Sequence, residues 1–399
     1  MAAVTLSDIL AARAVLSGIT RVTDLIPSPL FQGDVFIKAE NLQRTGSFKM
    51  RGAYTRMLQL TPEERARGVI AASAGNHAQG VALSAKMLGV KATIVMPAAA
   101  PLYKITSTRA YGADVILSGA VFDDAYAKAQ SVMQETGAVF IHAYDDPLVI
   151  AGQGTIGLEI LEALPDVGTV VVPVGGGGVI AGIAVAIKEQ KPGVRIIGVE
   201  PENAASMRAS MREGSRLTLA TAATIADGIA VKTPGALTLE LCQRYVDDIV
   251  TVSEDEIACA VLDLLERGKM VSEGAGAASV AALLSSTVSA VGKTVAVLTG
   301  GNIDVTMLSR IIDRGLRRAG RKANLTVEIP DRPGQLGPLL DAIGETGANL
   351  AHVTHERGHL ELPLGQVLIE IELDTQDTEH IHRIVKLLRE RHYKVSLCE

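Results

Sequence analysis

The stretch "GTVVVPVGGGGVIAGIAVAI", residues 168–187, holds twenty consecutive uncharged residues. That is the length of a membrane-spanning helix. Pro173 and the four glycines Gly175, Gly176, Gly177 and Gly178 divide it, because neither residue type sits well inside a helix. The reading that fits is a buried β-branched strand, a tight loop and a buried helix. A glycine loop that opens a helix presents backbone N–H groups outward, which suits a phosphate. Residues 176–181 also fit the GxGxxA dinucleotide fingerprint, with Glu200 about 20 residues further on. The loop alone leaves both readings open.

The same alternation runs outward in both directions. Before it, "GVIAAS" (68–73), "KATIVMP" (91–97), "ADVILSG" (113–119) and "AVFIHAY" (138–144) are short apolar strands separated by helical stretches. After it, "VRIIGVE" (194–200) and "TVAVLTGGN" (294–302) continue a second series. Strands that are apolar throughout, with helices between them, imply parallel sheets covered on both faces. The expectation is an α/β fold of two lobes, the smaller spanning roughly 50–150, with a ligand between them at the carboxyl ends of the strands.

Composition narrows the partners. The chain has 399 residues, 48% hydrophobic and 21% charged, enough for two or three domains. Aromatics are 3%, tryptophan is absent and the net charge is −6, which argues against a nucleic-acid partner. Cys242, Cys259 and Cys398 are widely spaced and odd in number, pointing to reduced thiols and a cytoplasmic location. The N-terminal "MAAVTLSDILAARAVLSG" lacks a basic segment and reads as an amphipathic helix rather than a signal peptide, and no membrane partner is expected.

Three further stretches carry chemistry. "TGSFKMRG" (45–52) places Lys49 after Phe48 beside a turn. "SAGNHAQG" (73–80) follows a strand and opens a helix, a second anion cradle. "VLTGGN" (297–302) ends a buried strand on Thr299, a neutral hydroxyl. Each has a bland alternative: a surface lysine, an N-cap and an ordinary strand end. Together with the glycine loop they supply an amine, a phosphate cradle, a carboxylate cradle and a hydroxyl. That is the inventory for pyridoxal phosphate holding an amino acid.

At this point the chain resembles the fold-type II pyridoxal-phosphate enzymes, whose architecture is that of the tryptophan synthase β subunit, and within them the serine/threonine dehydratases. "KAENLQRTGSFKMRGA" (38–53), "SAGNHAQG", "VPVGGGGVIAG", "IADGIAV" (225–231) and "VLTGGN" occur in the family's order. The resemblance implies a catalytic domain over 1–320, with Lys49 forming the Schiff base and acting as the base at the substrate α-carbon. It puts Phe48 beside the cofactor, Asn76 on its phenolic oxygen, Gly175, Gly176, Gly177, Gly178 and Val179 on its phosphate, and Thr299 on its pyridine nitrogen. The backbone of Ser73, Ala74, Gly75, Asn76 and His77 would hold the substrate carboxylate. The implied reaction is β-elimination of L-threonine to 2-oxobutanoate and ammonia, with L-serine also accepted, in a homodimer or homotetramer.

Two departures refine this. Serine racemases of the family carry a second serine where this chain has Ala74, so racemisation should be minor. Relatives that bind a divalent cation place a carboxylate where this chain has Ser206, so Glu200 and Ala204 are not assigned a metal. Serine dehydratase and serine racemase remain the nearest alternatives. A nicotinamide-dependent oxidoreductase or a non-enzymatic amino-acid sensor would leave most of the constellation without a purpose.

After residue 320 the pattern changes. Arg314, Arg317, Arg318, Arg321 and Lys322 make a basic run that reads as a solvated linker. From Asn324 the periodicities give β-α-β-β-α-β, a ferredoxin-like module. "IPDRPGQLGPLLDAIGETGANL" (329–350) resembles an ACT domain, which implies a regulatory unit over 321–399. Asp331, Gly334, Gln335, Leu336 and Asn349 would line a small amino-acid pocket, with isoleucine or valine as effector; oligomer contact is the alternative role. His352, His355 and His359 lie in this region, but their spacing does not set all three on one face, so no metal is expected.

Overall fold

In the computed structural model, residues 4–357 and 362–398 are described. The chain divides into two compact units, Met1–Asp304 and Val305–Glu399.

The first unit contains two sheets. In the larger, Leu25–Pro27, Val35–Ala39, Lys293–Leu298, Val167–Pro173, Arg195–Pro201 and Asp248–Val252 lie side by side in that order. All pairings are parallel except the first. Val170, Val171 and Val172 are all fully buried. A strand with parallel neighbours on both sides and helices on both faces has no polar side, which is why it reads as an unbroken apolar run. The helix Gly178–Lys188 follows the glycine loop and is buried from Gly178 to Ile187. Among the described residues, no helix is long and apolar enough to cross a membrane.

The smaller sheet orders Asp114–Leu117, Ala92–Met96, Val69–Ala72 and Val139–Phe140, all parallel. The last strand is shorter than its apolar run suggests. It stops because the His142 ring accepts, at Nδ1, the backbone N–H groups of Tyr144 (3.2 Å) and Asp145 (2.8 Å), which curls the chain out of the sheet. At the N-terminus, Leu6–Leu16 forms the expected helix, opened by a capping box between Thr5 and Asp8, and it buries Ile9, Ala12 and Leu16 along one face.

A buried ionic cluster joins the lobes. Arg51, on the helix Lys49–Leu58, meets Glu40 (2.7 Å) and Glu159 (2.6 Å), and Lys38 meets Glu159 (2.5 Å). All four side chains are at most 3% exposed. Glu159 lies on Pro147–Ala163, so two cations and two carboxylates tie the helix bearing Lys49 to the core of the larger lobe.

The second unit opens with the helix Val305–Arg318, which buries Ile311 and Gly315. The solvated linker expected over the basic run is therefore not what forms there. Arg317 pairs with Asp313 (3.0 Å), and Lys322 starts a strand and meets Asp313 and Glu372, both at 3.0 Å. A four-stranded sheet with three antiparallel pairings has the spatial order Asn349–Glu356, Gln366–Asp374, Lys322–Pro330, Lys394–Cys398, with helices Leu336–Gly344 and Thr378–Glu390. This is the β-α-β-β-α-β order anticipated, and Leu325, Val327, Ile329, Ile369, Ile371, Leu339, Ile343 and Ile384 form its core. His352 and His355 are exposed on one edge strand; His359 lies outside the described residues.

Candidate active site

Lys49 is the first residue of its helix, and the chain before it is laid against the end of a large-lobe strand. Phe48 N–H donates to Thr299 O (3.3 Å), and Ser47 bridges Gly300. The turn is held open by Thr45, at φ 66°, and Gly46, at φ 71°. Thr45 can stay in this left-handed region because its carbonyl accepts from Asn302 Nδ2 (2.6 Å). The lysine is thereby aimed into the cleft, where Nζ donates to Ala143 O at 3.1 Å and lies 5.2 Å from the Phe48 ring centre. Burial pulls the amine down to about 8, against the opposing pull of Glu273.

The glycine loop sits at the end of Val167–Pro173. A Cβ on Gly176 would lie 2.3 Å from the Tyr144 ring, and one on Gly178 would lie 3.0 Å from Tyr144 Cα. Gly177 stands at φ +94°, where only glycine is at ease. Close packing thus explains the absent side chains by itself, and the number of glycines is not evidence for a ligand. What suits a phosphate is the helix start: Gly178–Lys188 begins with no side-chain cap, which leaves its first N–H groups for a ligand. Val179 belongs to that first turn. The dinucleotide alternative loses its acidic partner, because Glu200 accepts the N–H groups of Met207 and Arg208, each at 2.8 Å, and so caps the helix Ser206–Glu213.

The segment Ser73, Ala74, Gly75 follows the small-lobe strand Val69–Ala72 and enters the helix Asn76–Leu88. Ser73 Oγ accepts from Gly75 N (3.2 Å), and a side chain added at Gly75 would meet nothing within 4 Å, so the loop borders open space. His77 is buried against Ile141 O (2.8 Å), and burial lowers its pKa to about 3, so it is a neutral structural ring. Thr299 is 4% exposed, and among the described residues its hydroxyl has only a long 3.5 Å contact to Ala275 O. Ser47 Oγ is buried without a protein partner among the described residues.

One site residue has no local signal in the sequence. Glu273, at the start of the helix Gly274–Leu284, accepts from Asn76 Nδ2 at 2.5 Å. Asn302 Nδ2 donates to Asn76 Oδ1 at 2.7 Å, which fixes the orientation of the Asn76 amide. An amide nitrogen carries two hydrogens, so one remains for a ligand acceptor. Burial pushes the Glu273 carboxyl up to about 7. Its place in "SEGAGAAS" shows only an acidic residue entering a small-residue helix.

In the second unit a cavity of about 240 Å³ is lined by Asp331, Gly334 and Leu336 together with His355 and Arg357. Arg357 pairs with Asp331 at 3.2 Å. Gln335 is the residue preceding the helix Leu336–Gly344, and Asn349 turns to Asp374 (3.1 Å); neither lines the cavity.

An amine, an uncapped helix start and a buried hydroxyl, linked through Ala143, Tyr144 and Phe48, fit an enzyme that holds a phosphorylated cofactor. Residues 16–300 match the family described as pyridoxal-phosphate dependent enzyme, and the chain belongs to that family; its cofactor is pyridoxal phosphate. It is 53% identical to the L-threonine ammonia-lyase of Thermotoga maritima, over 99% of both chains. It is 50% identical to the catabolic L-threonine dehydratase of Escherichia coli, over 77% of this chain and 96% of that one. Among solved structures, the processed threonine deaminase isoform 2 of Solanum lycopersicum superposes with a TM-score of 0.74 at 42% identity, covering 77% of this chain and 86% of that one.

Proposed function

We propose that this chain deaminates L-threonine to 2-oxobutanoate and ammonia by β-elimination, and acts on L-serine in the same way. The match to an L-threonine ammonia-lyase over 99% of both chains carries the reading. The residues present fit the cofactor: an uncapped loop for its phosphate, Thr299 for its ring nitrogen, one Asn76 N–H for its phenolic oxygen, and Lys49 for its carbonyl carbon.

When bound, pyridoxal phosphate supplies an electron sink for the pair released at the substrate α-carbon. The protein's share is to orient and to move protons. The segment Ser73, Ala74, Gly75, Asn76 and His77 receives the substrate carboxylate beside the open space at Gly75, on the N–H groups of Ala74, Asn76 and His77, since Ser73 N–H donates to Val95 O (3.1 Å) and Gly75 N–H to Ser73 Oγ (3.2 Å). The Lys49 amine, lowered to about 8, takes the α-proton near neutral pH. Loss of that proton and of the β-hydroxyl, as water, leaves an enamine. Its imine tautomer takes up water and breaks down to the 2-oxo acid and ammonia. Thr299 bears no charge, so it does not hold a proton on the ring nitrogen, which favours elimination over racemisation. Ala74 offers no hydroxyl on the opposite face.

The second unit is proposed as an ACT regulatory domain whose cavity takes a small amino acid, isoleucine or valine, in a cytoplasmic homodimer or homotetramer. Its topology and the cavity lined by Asp331, Gly334 and Leu336 support this.

The test joins chemistry and site. Borohydride treatment of the purified protein should leave the cofactor's mass on the peptide containing Lys49. Threonine should yield 2-oxobutanoate and ammonia in equal amounts. Cofactor fixed on another lysine, or threonine consumed without a 2-oxo acid, would overturn the proposal.

A further inference from the structure

We infer that Thr238, held by Asp145, is a positioning residue that aims the glycine loop at the cofactor phosphate. The inference rests on the loop's proposed role as phosphate cradle.

Three segments distant in sequence meet at the loop. Thr238 Oγ1 donates to Gly176 O at 2.6 Å, and Gly235 N–H donates to the same oxygen at 3.3 Å. Thr238 is fully buried. Both belong to the start of the helix Ala236–Tyr245, which has no capping side chain of its own. Asp145 supplies the cap from 91 residues away: it accepts from Ala236 N (2.9 Å), Leu237 N (3.0 Å) and Thr238 N (3.3 Å). A carboxylate at a helix N-terminus is a favourable pairing. The contact leaves little slack, since a Cβ on Gly235 would lie 2.3 Å from Asp145 Oδ1 and one on Gly177 would lie 2.9 Å from Thr238 Cβ.

The consequence follows from the peptide unit. Gly176 C=O and Gly177 N–H belong to one planar trans group and point in opposite directions. Two donors hold the carbonyl toward the helix Ala236–Tyr245, so the Gly177 N–H is held pointing away from it, next to the uncapped start of Gly178–Lys188. A glycine loop has wide backbone freedom, and without the brace this peptide could turn over. The brace also sets a distance. Ala143, which accepts from Lys49 Nζ at 3.1 Å, is two residues before Asp145, and Tyr144 between them packs its ring on Gly176. The segment from His142 to Asp145 therefore spaces the lysine from the phosphate loop. A buried threonine hydroxyl could instead serve only helix packing; the valine and serine substitutions separate the two.

The experiment uses the full-length chain, purified as holoenzyme, stripped of cofactor and retitrated with pyridoxal 5'-phosphate and with pyridoxal, following visible absorbance. Thr238→Val keeps the side-chain shape and removes the donor. It should weaken pyridoxal 5'-phosphate by about tenfold, leave pyridoxal affinity unchanged, and shift the ³¹P resonance of the bound cofactor. Thr238→Ser should restore affinity to within about threefold, because it restores the donor. Asp145→Asn should shift binding in the same direction as Thr238→Val, since it weakens the cap. If the wild type prefers the phosphorylated form but Thr238→Val binds both like the wild type, the brace is wrong. Equal losses for both ligands would also overturn it, showing a disturbed pocket instead. If the wild type binds pyridoxal as tightly as the phosphate, the cradle assignment fails first and takes the brace with it.

Discussion

At the scale of single residues, the catalytic role proposed for Lys49 rests on burial that depresses the pKa of its amine to about 8. Lys49→Ala should lower threonine deamination by about a hundredfold to ten-thousandfold, with far-UV circular dichroism unchanged. Near-normal turnover in that variant would refute the assignment. Glu273 makes a separate prediction about pH. Its carboxyl is raised from 4.5 to about 7 by burial, so the folded chain retains a proton that the unfolded chain loses. Between about pH 4.5 and 7 the native state then binds more protons than the unfolded one, and stability falls as pH rises across that window. Full ionisation of Glu273 costs about 3 kcal/mol. Glu273→Gln should flatten this part of the stability profile of the cofactor-free chain, measured by urea denaturation at several pH values; an unchanged slope would show that Glu273 titrates normally. Ala74→Ser tests the missing hydroxyl, and chiral analysis of serine after incubation should show D-serine above the wild-type level. Lys49, Asn76 and Thr299 could be singled out because each sits in a short motif and the five motifs together resemble a known family. Glu273 and Thr238 were not, since their partners lie 197 and 62 residues away and no local spacing records those contacts.

Among the elements, the helix Lys49–Leu58 depends on its buried ions. Arg51 satisfies both carboxylates, and Thr23 Oγ1 donates to Glu40 at 2.5 Å. The cluster is balanced at two charges of each sign. Replacing Arg51 with methionine leaves Lys38 alone against two buried carboxylates, and breaking a buried pair in this way costs about 3–5 kcal/mol. Chemical denaturation of Arg51→Met should show a loss of that order, together with weaker cofactor retention because Lys49 is two residues away. A loss below about 1 kcal/mol would mean that water enters and solvates the cluster. The motif "SFKMRG" showed both charges, but not that one is directed to the cleft and the other to the core. Strand positions were easier to read, since two-sided burial leaves uninterrupted apolar runs such as residues 169–174. The early end of Val139–Phe140 was hidden because it is caused by a side chain, His142, rather than by a proline or glycine.

For the whole molecule, the two units were visible in the change from unbroken apolar strands to alternating ones near residue 324. Their border was not. The basic residues after Asp313 suggested a linker, whereas Val305–Arg318 is an amphipathic helix grouped with the second unit, its Arg317 paired to Asp313 and Glu372. A chain ending at Gly320 would keep this helix but lose Lys322 and Glu372, which share Asp313 and Arg317 with it. A chain ending at Asp304 removes the second unit entire and is the cleaner truncation. An amino acid in the cavity near Asp331 can alter turnover only by binding unequally to two states of the enzyme. Ending the chain at Asp304 should therefore give a protein that still binds pyridoxal phosphate, deaminates threonine, and no longer responds to isoleucine or valine. The measurement is threonine saturation with and without each amino acid, on both lengths of chain, with particle size followed by light scattering. Full-length enzyme indifferent to every amino acid tried, or a truncated form that responds equally, would turn the second unit from a regulatory domain into an assembly contact. A response confined to the full chain and lost in Arg357→Ala would place the effector in the Asp331 cavity.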